Sequence, residues 1–337
     1  MVAASLRRAV AAALLATAGA AASAEPAPAP LVIEPQLLPL AGPAASPEAE
    51  ISALCWCGDR LVLMPQHPER FGAAPGELGF FVLEQADLEA YLDGRAHGPL
   101  TPKAAVLEAP GLIEQLPGWD GLEAAASRGD TVYLAVEARV EGVMTGYLLR
   151  GHITRTDDSL RLRIDPERVA TIPVPVNLPN MSQEALVLAP DHIGVIFEAN
   201  GEAVNPEAHV AVFDLDLTYR GPIPLDHVEY RVTDACQPAA DGRFWVINYF
   251  FPPEGDLLAP PRRPAGPVEQ LVELRFDGER VARTDAPPID LRRDPSLPAR
   301  NWEAMVRLEG RGFLLMTDRY PTTLLAFVPL PKDADHE

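Results

Sequence analysis

Five times along this chain a turn-centred pair of apolar runs carries polar residues fourteen positions apart, fifteen in the last copy. The pairs are Ser52/Gln66, Glu123/Glu137, Glu184/Glu198, Asp234/Asn248 and Glu303/Asp318. Midway between each pair lies a turn signal, such as Cys57-Gly58-Asp59-Arg60, Ser127-Arg128-Gly129-Asp130 or Glu309-Gly310-Arg311-Gly312. Residues equidistant from a hairpin turn face each other across the two strands, so each pair is expected at the open end of its own hairpin. Like charges directly opposite are destabilising. Repeating the arrangement therefore calls for a cation, a ligand or open water to compensate it.

A unit that recurs every fifty to seventy residues fits a four-stranded propeller blade with its loops. The runs Thr131–Val136, His192–Phe197, Arg243–Ile247, Gly312–Met316 and Arg60–Met64 are rich in β-formers and bounded by Gly, Pro and Asp. Further strands follow at Gly146–Arg150 with Leu160–Ile164, at His209–Phe213 with Leu217–Tyr219, and at Gln270–Phe276 with Arg280–Ala282. The last unit has only one further strand, Thr323–Val328, whereas an orphan strand, Leu31–Leu38, precedes the first unit. Ring closure through that N-terminal strand, completing the last blade, removes the open edge. The reading is an all-β propeller of five blades, or six if the stretch from Gly72 to Trp119 hides another. Asp87–Leu92 in that stretch reads as a short helix, which favours an insertion.

Arg7-Arg8, the Ala- and Leu-rich run Ala9–Ala22, and Ala22-Ser23-Ala24 before Glu25 match the parts of a secretory signal. This divides the chain into a signal at 1–24, a Pro/Ala-rich lead-in with the closing strand at 25–48, one propeller at 49–331 and a tail at 332–337. The expected location is the periplasm or the exterior. Cleavage removes two arginines and no acid, moving the formal net charge from −20 to −22. Such acidity disfavours nucleic acid and anionic membrane surfaces, which demand basic stripes. A monomer free of membrane after cleavage, with a small-molecule substrate or ligand, is expected. Cys55, Cys57 and Cys236 have no metal-ligand spacing; they read as buried apolar residues, or as a bridge from Cys236 to one of the others.

Nucleophile elbows, zincin helices, Walker loops and dinucleotide fingerprints do not occur. The chemistry therefore concentrates on the repeated pairs. In a propeller the first strand of each blade lines the channel, which places Glu123, Glu184, Asp234 and Glu303 in an inner ring. Glu137, Glu198, Asn248 and Asp318 follow from the neighbouring strands. Carboxylate and amide oxygens without clustered Cys or His select a hard cation, calcium before magnesium. Repetition alone also fits a structural signature that ties blades together. Trp119, Tyr249, Trp302 and Tyr320 are candidate pocket walls, and the first pair, Ser52/Gln66, with His67 beside it, is the uncharged gap in the ring where a substrate would enter.

Asn301-Trp-Glu-Ala-Met-Val306, followed by Gly312–Arg319 and Thr323–Phe327, resembles the closing blade of the phytase-like, esterase-like bacterial propeller family. Ser182–Leu186 and Leu122–Ala125 repeat the theme more loosely. More distantly, the acidic channel is similar to calcium-binding lactonase and arylesterase propellers, and to calcium-activated nucleotidases and furanosidases. The resemblance implies a divalent metal and hydrolysis of an ester, lactone or phosphoester. Its expected ligands are Glu123, Glu303, Asp234, Asn248 and Asp318, with Glu184 as general base and with Gln66, His67, Glu137, Glu198 and Arg319 contacting substrate. Lys103 and Lys332 are the only lysines, and Arg262-Arg263 sits in a Pro-rich loop, so a highly phosphorylated substrate is disfavoured. The alternatives are a non-catalytic platform with a structural ion and a two-carboxylate glycoside hydrolase.

Overall fold

In a computed structural model of the chain, residues 29–74, 77–157, 159–252, 264, 266–319 and 322–330 are described. The expected signal, Arg262-Arg263, Tyr320 and the tail lie outside them. The order is β1 (Leu31–Ile33), β2 (Gln36–Leu38), β3 (Ile51–Cys57), β4 (Arg60–Pro65), β5 (Leu78–Glu84), helix α1 (Gln85–Leu92), then β6 (Lys103–Glu108). Next come β7 (Trp119–Arg128), β8 (Thr131–Val140), β9 (Val143–Arg155), β10 (Leu160–Ile172), β11 (Gln183–Leu188), β12 (His192–Phe197), β13 (His209–Asp214) and β14 (Tyr219–Pro224). The chain closes with β15 (Arg231–Ala235), β16 (Arg243–Phe250), β17 (Val268–Phe276), β18 (Val281–Arg283), β19 (Ile289–Leu291), β20 (Trp302–Leu308), β21 (Gly312–Thr317) and β22 (Leu325–Pro329).

Antiparallel meanders run β3-β4-β5-β6, β7-β8-β9-β10 and β11-β12-β13-β14. They are followed by β15-β16-β17 with β18 and β19, and by β20-β21-β22. The first strands contact one another in a closed cycle: β3 with β7, β7 with β11, β11 with β15, β15 with β20, and β20 with β3. This is the β-propeller arrangement, in which first strands surround the axis and sheets pack face to face. Burial agrees, because inner strands such as β11 (Gln-Glu-Ala-Leu-Val-Leu) and β21 are buried at every position, as in sheets covered on both faces.

The core lies between neighbouring sheets. Ala304, Val306, Leu314 and Met316 of the last sheet meet Ile51, Leu54, Leu61 and Leu63 of the first. Ala124, Ala126 and Tyr133 meet Leu186, Val195 and Phe213 in the same way. Two outer strands also join, β10 pairing in parallel with β6, so the first two meanders share an edge.

The N-terminal strand expected over Leu31–Leu38 is split. β2 pairs antiparallel with β22 of the last sheet, Leu37 opposite Ala326, whereas β1 pairs in parallel with β19 of the sheet before it. Pro35 falls between them and has no N–H to continue either ladder. One lead-in segment thus stitches two adjacent sheets.

Candidate functional site at the channel mouth

In all five first hairpins the register shifts by one residue at the same place. Ladder pairs flank Ser52 in β3, Glu123 in β7, Glu184 in β11, Thr233 in β15 and Glu303 in β20, and each of these residues is itself skipped. These are β-bulges, which leave one residue unpaired and re-aim its side chain. The fourteen-residue partners are therefore not directly opposite: Gly121, rather than Glu123, pairs with Glu137.

The bulge corrects the fourth copy. Thr233 occupies the ring position, and Asp234, expected there as a metal ligand, points into the protein. Its oxygens accept hydrogen bonds from the N–H groups of Ala235 and Met305, each at 2.7 Å, tying β15 to β20. Asn248 is likewise a strut. Its amide donates to the carbonyls of Glu229 (2.6 Å) and Arg231 (3.1 Å), and its Oδ1 accepts from Gln270 (2.7 Å).

What converges is a polar cavity of about 320 Å³. Glu123, Glu137, Glu184, Glu303 and Asp318 line it, with Gln66, His67 and Arg319 from the expected substrate set. Glu198 is buried behind it and ion-paired with Arg231. Among the described residues the expected aromatic wall does not form: Trp302 is fully buried with its indole N–H donating to Glu269 (3.0 Å), and Trp119 and Tyr249 do not line the cavity. Nor is Ser52 an open gap, because its hydroxyl donates to the Leu122 carbonyl at 2.5 Å. All three cysteines are free and buried.

Oxygens of Glu123, Glu137 and Glu184 lie within 4.8 Å of one another. Gln66 Nε2 donates to Glu123 Oε1 at 2.6 Å, and the Ser182 hydroxyl lies 3.4 Å from Glu137 and 3.3 Å from Glu184. Burial and then mutual repulsion hold Glu123 and Glu184 well above the usual carboxylate range. Glu137 is raised mainly by burial, opposed by its hydrogen bond with Glu123. Burial and the neighbouring Asp318 push Glu303 up to about 8, against the pull of Arg231.

Sequence reasoning missed Arg231, Asn301 and Glu50. Arg231 pairs with Glu198 and lies 3.6 Å from Glu303; Asn301 donates to Glu303. Glu50 gathers Arg70 (2.9 Å), Arg319 (2.9 Å) and His67 (3.4 Å). These three residues stand two positions before a bulge, so strand alternation presents them to the same mouth. The signal was available once the bulge register was known.

No family model and no curated protein matches the chain. Among solved structures, a thermostable family-43 glycoside hydrolase is similar over 88% of this chain and 94% of that one, at 12% identity and a TM-score of 0.49. A GDP-Man-dependent mannosyltransferase from Leishmania mexicana is similar over 90% and 91%, at 11% identity and a TM-score of 0.46. A glucose dehydrogenase is similar over 84% and 97%, at 14% identity and a TM-score of 0.42. Likeness at this level assigns neither substrate nor chemistry.

Proposed function

We propose that the protein is a five-bladed propeller closed by its N-terminal strands, and that its channel mouth hydrolyses a neutral, hydroxyl-rich substrate, a glycoside, with paired carboxyl groups. The observation that carries this is the buried trio Glu123, Glu137 and Glu184, whose surroundings raise Glu123 and Glu184 further than Glu137. Acid and base roles are set where environments drive neighbouring titrations apart.

Burial and the surrounding glutamates disfavour the charge on Glu184 and hold it well above the usual carboxylate range, which suits it to proton donor rather than to the base the sequence suggested. Glu137 is raised less than the other two, because its hydrogen bond with Glu123 favours the ionised form. Its role is to stabilise or attack the anomeric carbon. Spacing within 4.8 Å is shorter than the roughly 6.5–9.5 Å that leaves room for an attacking water, so retention of configuration is expected. The walls suit hydroxyls: carboxylates accept, while Gln66, Asn180 and Asn301 can do either. Phosphate is disfavoured, since Arg231, Arg70 and Arg319 already face carboxylates.

A second reading has its own support. Three oxygens within 4.8 Å span about twice a calcium–oxygen distance of ~2.4 Å, so Glu123, Glu137 and Glu184, with the Gln66 carbonyl after an amide rotation, suit calcium. Bound there, the ion would supply electrostatic polarisation of a substrate oxygen. A panel of aryl glycosides, lactones and aryl esters with and without EDTA decides between them. Glycoside turnover that survives EDTA and is lost in Glu184→Gln and Glu137→Gln supports the first reading. Turnover abolished by EDTA and restored by calcium supports the second. No turnover of any substrate by folded protein with calcium refutes both.

A further inference from the structure

We propose that the opposite end of the channel is a second ligand site, built for a small organic monocarboxylate with an apolar body. The first strands run away from the carboxylate mouth at about 3.3 Å per residue. Four residues beyond Glu303, Arg307 on β20 lines a separate cavity of about 400 Å³ together with Leu54, Trp56, Met305 and Val306.

Arg307 carries the argument. Its Nε is buried without a hydrogen-bond partner, and among the described residues no carboxylate lies within ion-pair distance of its guanidinium. That is notable in a chain with 48 acidic and 28 basic residues. The guanidinium stacks over Phe313 at 5.9 Å, and the Arg307 carbonyl accepts from the Trp56 indole at 2.8 Å, so strand and side chain are both held in place.

Among the described residues, no acidic side chain is paired with Arg307. Asp234 is spent on two backbone N–H groups. Burial pushes Cys236 up to about 11, and the hydrogen bond to Cys57 together with burial holds the Cys55 thiol well above its ordinary range, so both remain neutral. Glu309 lies on the exposed rim. A buried donor of this kind is costly to leave unpaired, so an anion from outside is favoured there. Leu54, Trp56, Met305 and Val306 around one guanidinium, with Glu309 out on the rim, suit a ligand with an apolar body and an anionic head. A single guanidinium on a strongly acidic protein favours a monoanion over a polyanion.

Isothermal titration with hexanoate, 1-hexanol and inorganic phosphate tests the site. Saturable hexanoate binding is expected, with hexanol and phosphate both weaker. Arg307→Met should weaken hexanoate at least about tenfold, the loss of one charge-assisted contact, while Arg307→Lys retains part of it. Ala240→Trp, on the exposed rim, should block the cavity without touching Arg307. Glu184→Gln at the other mouth should leave binding unchanged, which separates this site from the proposed hydrolytic one. Equal binding of hexanol, equal binding of phosphate, unchanged affinity in folded Arg307→Met or in Ala240→Trp, or no saturation in the millimolar range would each overturn the proposal.

Discussion

Replacing Glu303 by glutamine should stabilise the protein at pH 8 and leave it nearly unchanged at pH 5. The folded protein holds the Glu303 proton up to about pH 8, whereas the unfolded chain releases it near 4.5. Across that window the native state binds more protons than the unfolded state, so stability falls as pH rises. The contribution is fully present below pH 4.5 and is lost progressively as pH climbs through 8. Each unit of difference is worth about 1.4 kcal/mol, which bounds the loss at nearly 5 kcal/mol. Water penetration and relief of coupled neighbours reduce this to an expected ~2–3 kcal/mol between pH 5 and pH 8. Glutamine resembles the protonated acid and can keep the Asn301 contact, while Arg231 retains Glu198. Urea denaturation of both proteins at the two pH values, in EDTA so that no bound cation offsets the repulsion, measures the difference. If wild type and Glu303→Gln lose stability in parallel from pH 5 to pH 8, the assigned charge burden at Glu303 is wrong.

Three further outcomes follow from the same contacts. Arg231→Met leaves Glu198 and Glu303 buried without their guanidinium and should cost about 3–5 kcal/mol, more at pH 8 than at pH 5, by the same denaturation assay. Asp234→Ala strands the N–H groups of Ala235 and Met305 and should cost about 2–4 kcal/mol, with Asp234→Asn intermediate and glycoside turnover by the folded fraction unchanged. Calcium should raise the thermal midpoint only if the glutamate trio binds it, and that rise should vanish in Glu123→Gln; a midpoint indifferent to calcium and EDTA removes the cation reading.

Turn chemistry made the hairpins legible. Gly129 and Gly310 adopt left-handed φ values of 57° and 65° within the turns, as such loops require. Continuous apolar runs then marked strands buried on both faces. The bulges left no such trace, because an extra residue in one strand changes backbone register without demanding a particular side chain. That is why Asp234 read as a ring member although Thr233 holds the place, and why Glu50, Arg231 and Asn301 went unread. The split of the lead-in strand was signalled by Pro35, but which sheets the two halves join depends on contacts distant in sequence. The pairing of β6 with β10 is of the same kind.

The bulge makes the same slot serve two trades. Where it holds a hydroxyl, the side chain reaches the next sheet: Ser52 to the Leu122 carbonyl, Thr233 to the Trp302 carbonyl, each just before that sheet's own bulge. Where it holds glutamate, the same backbone hands a carboxylate to the cavity. Scaffold and cavity lining are thus written in separable letters. Exchanging one residue per hairpin can convert a mechanical seam into a cavity-facing carboxylate, or the reverse, without redrawing a strand. The ring is uneven as a result: Ser52 and Thr233 are sewn to the next sheet, Glu303 stands alone between them, Glu123 and Glu184 sit side by side across the axis, and point substitution alone could redistribute seams and carboxylates around it.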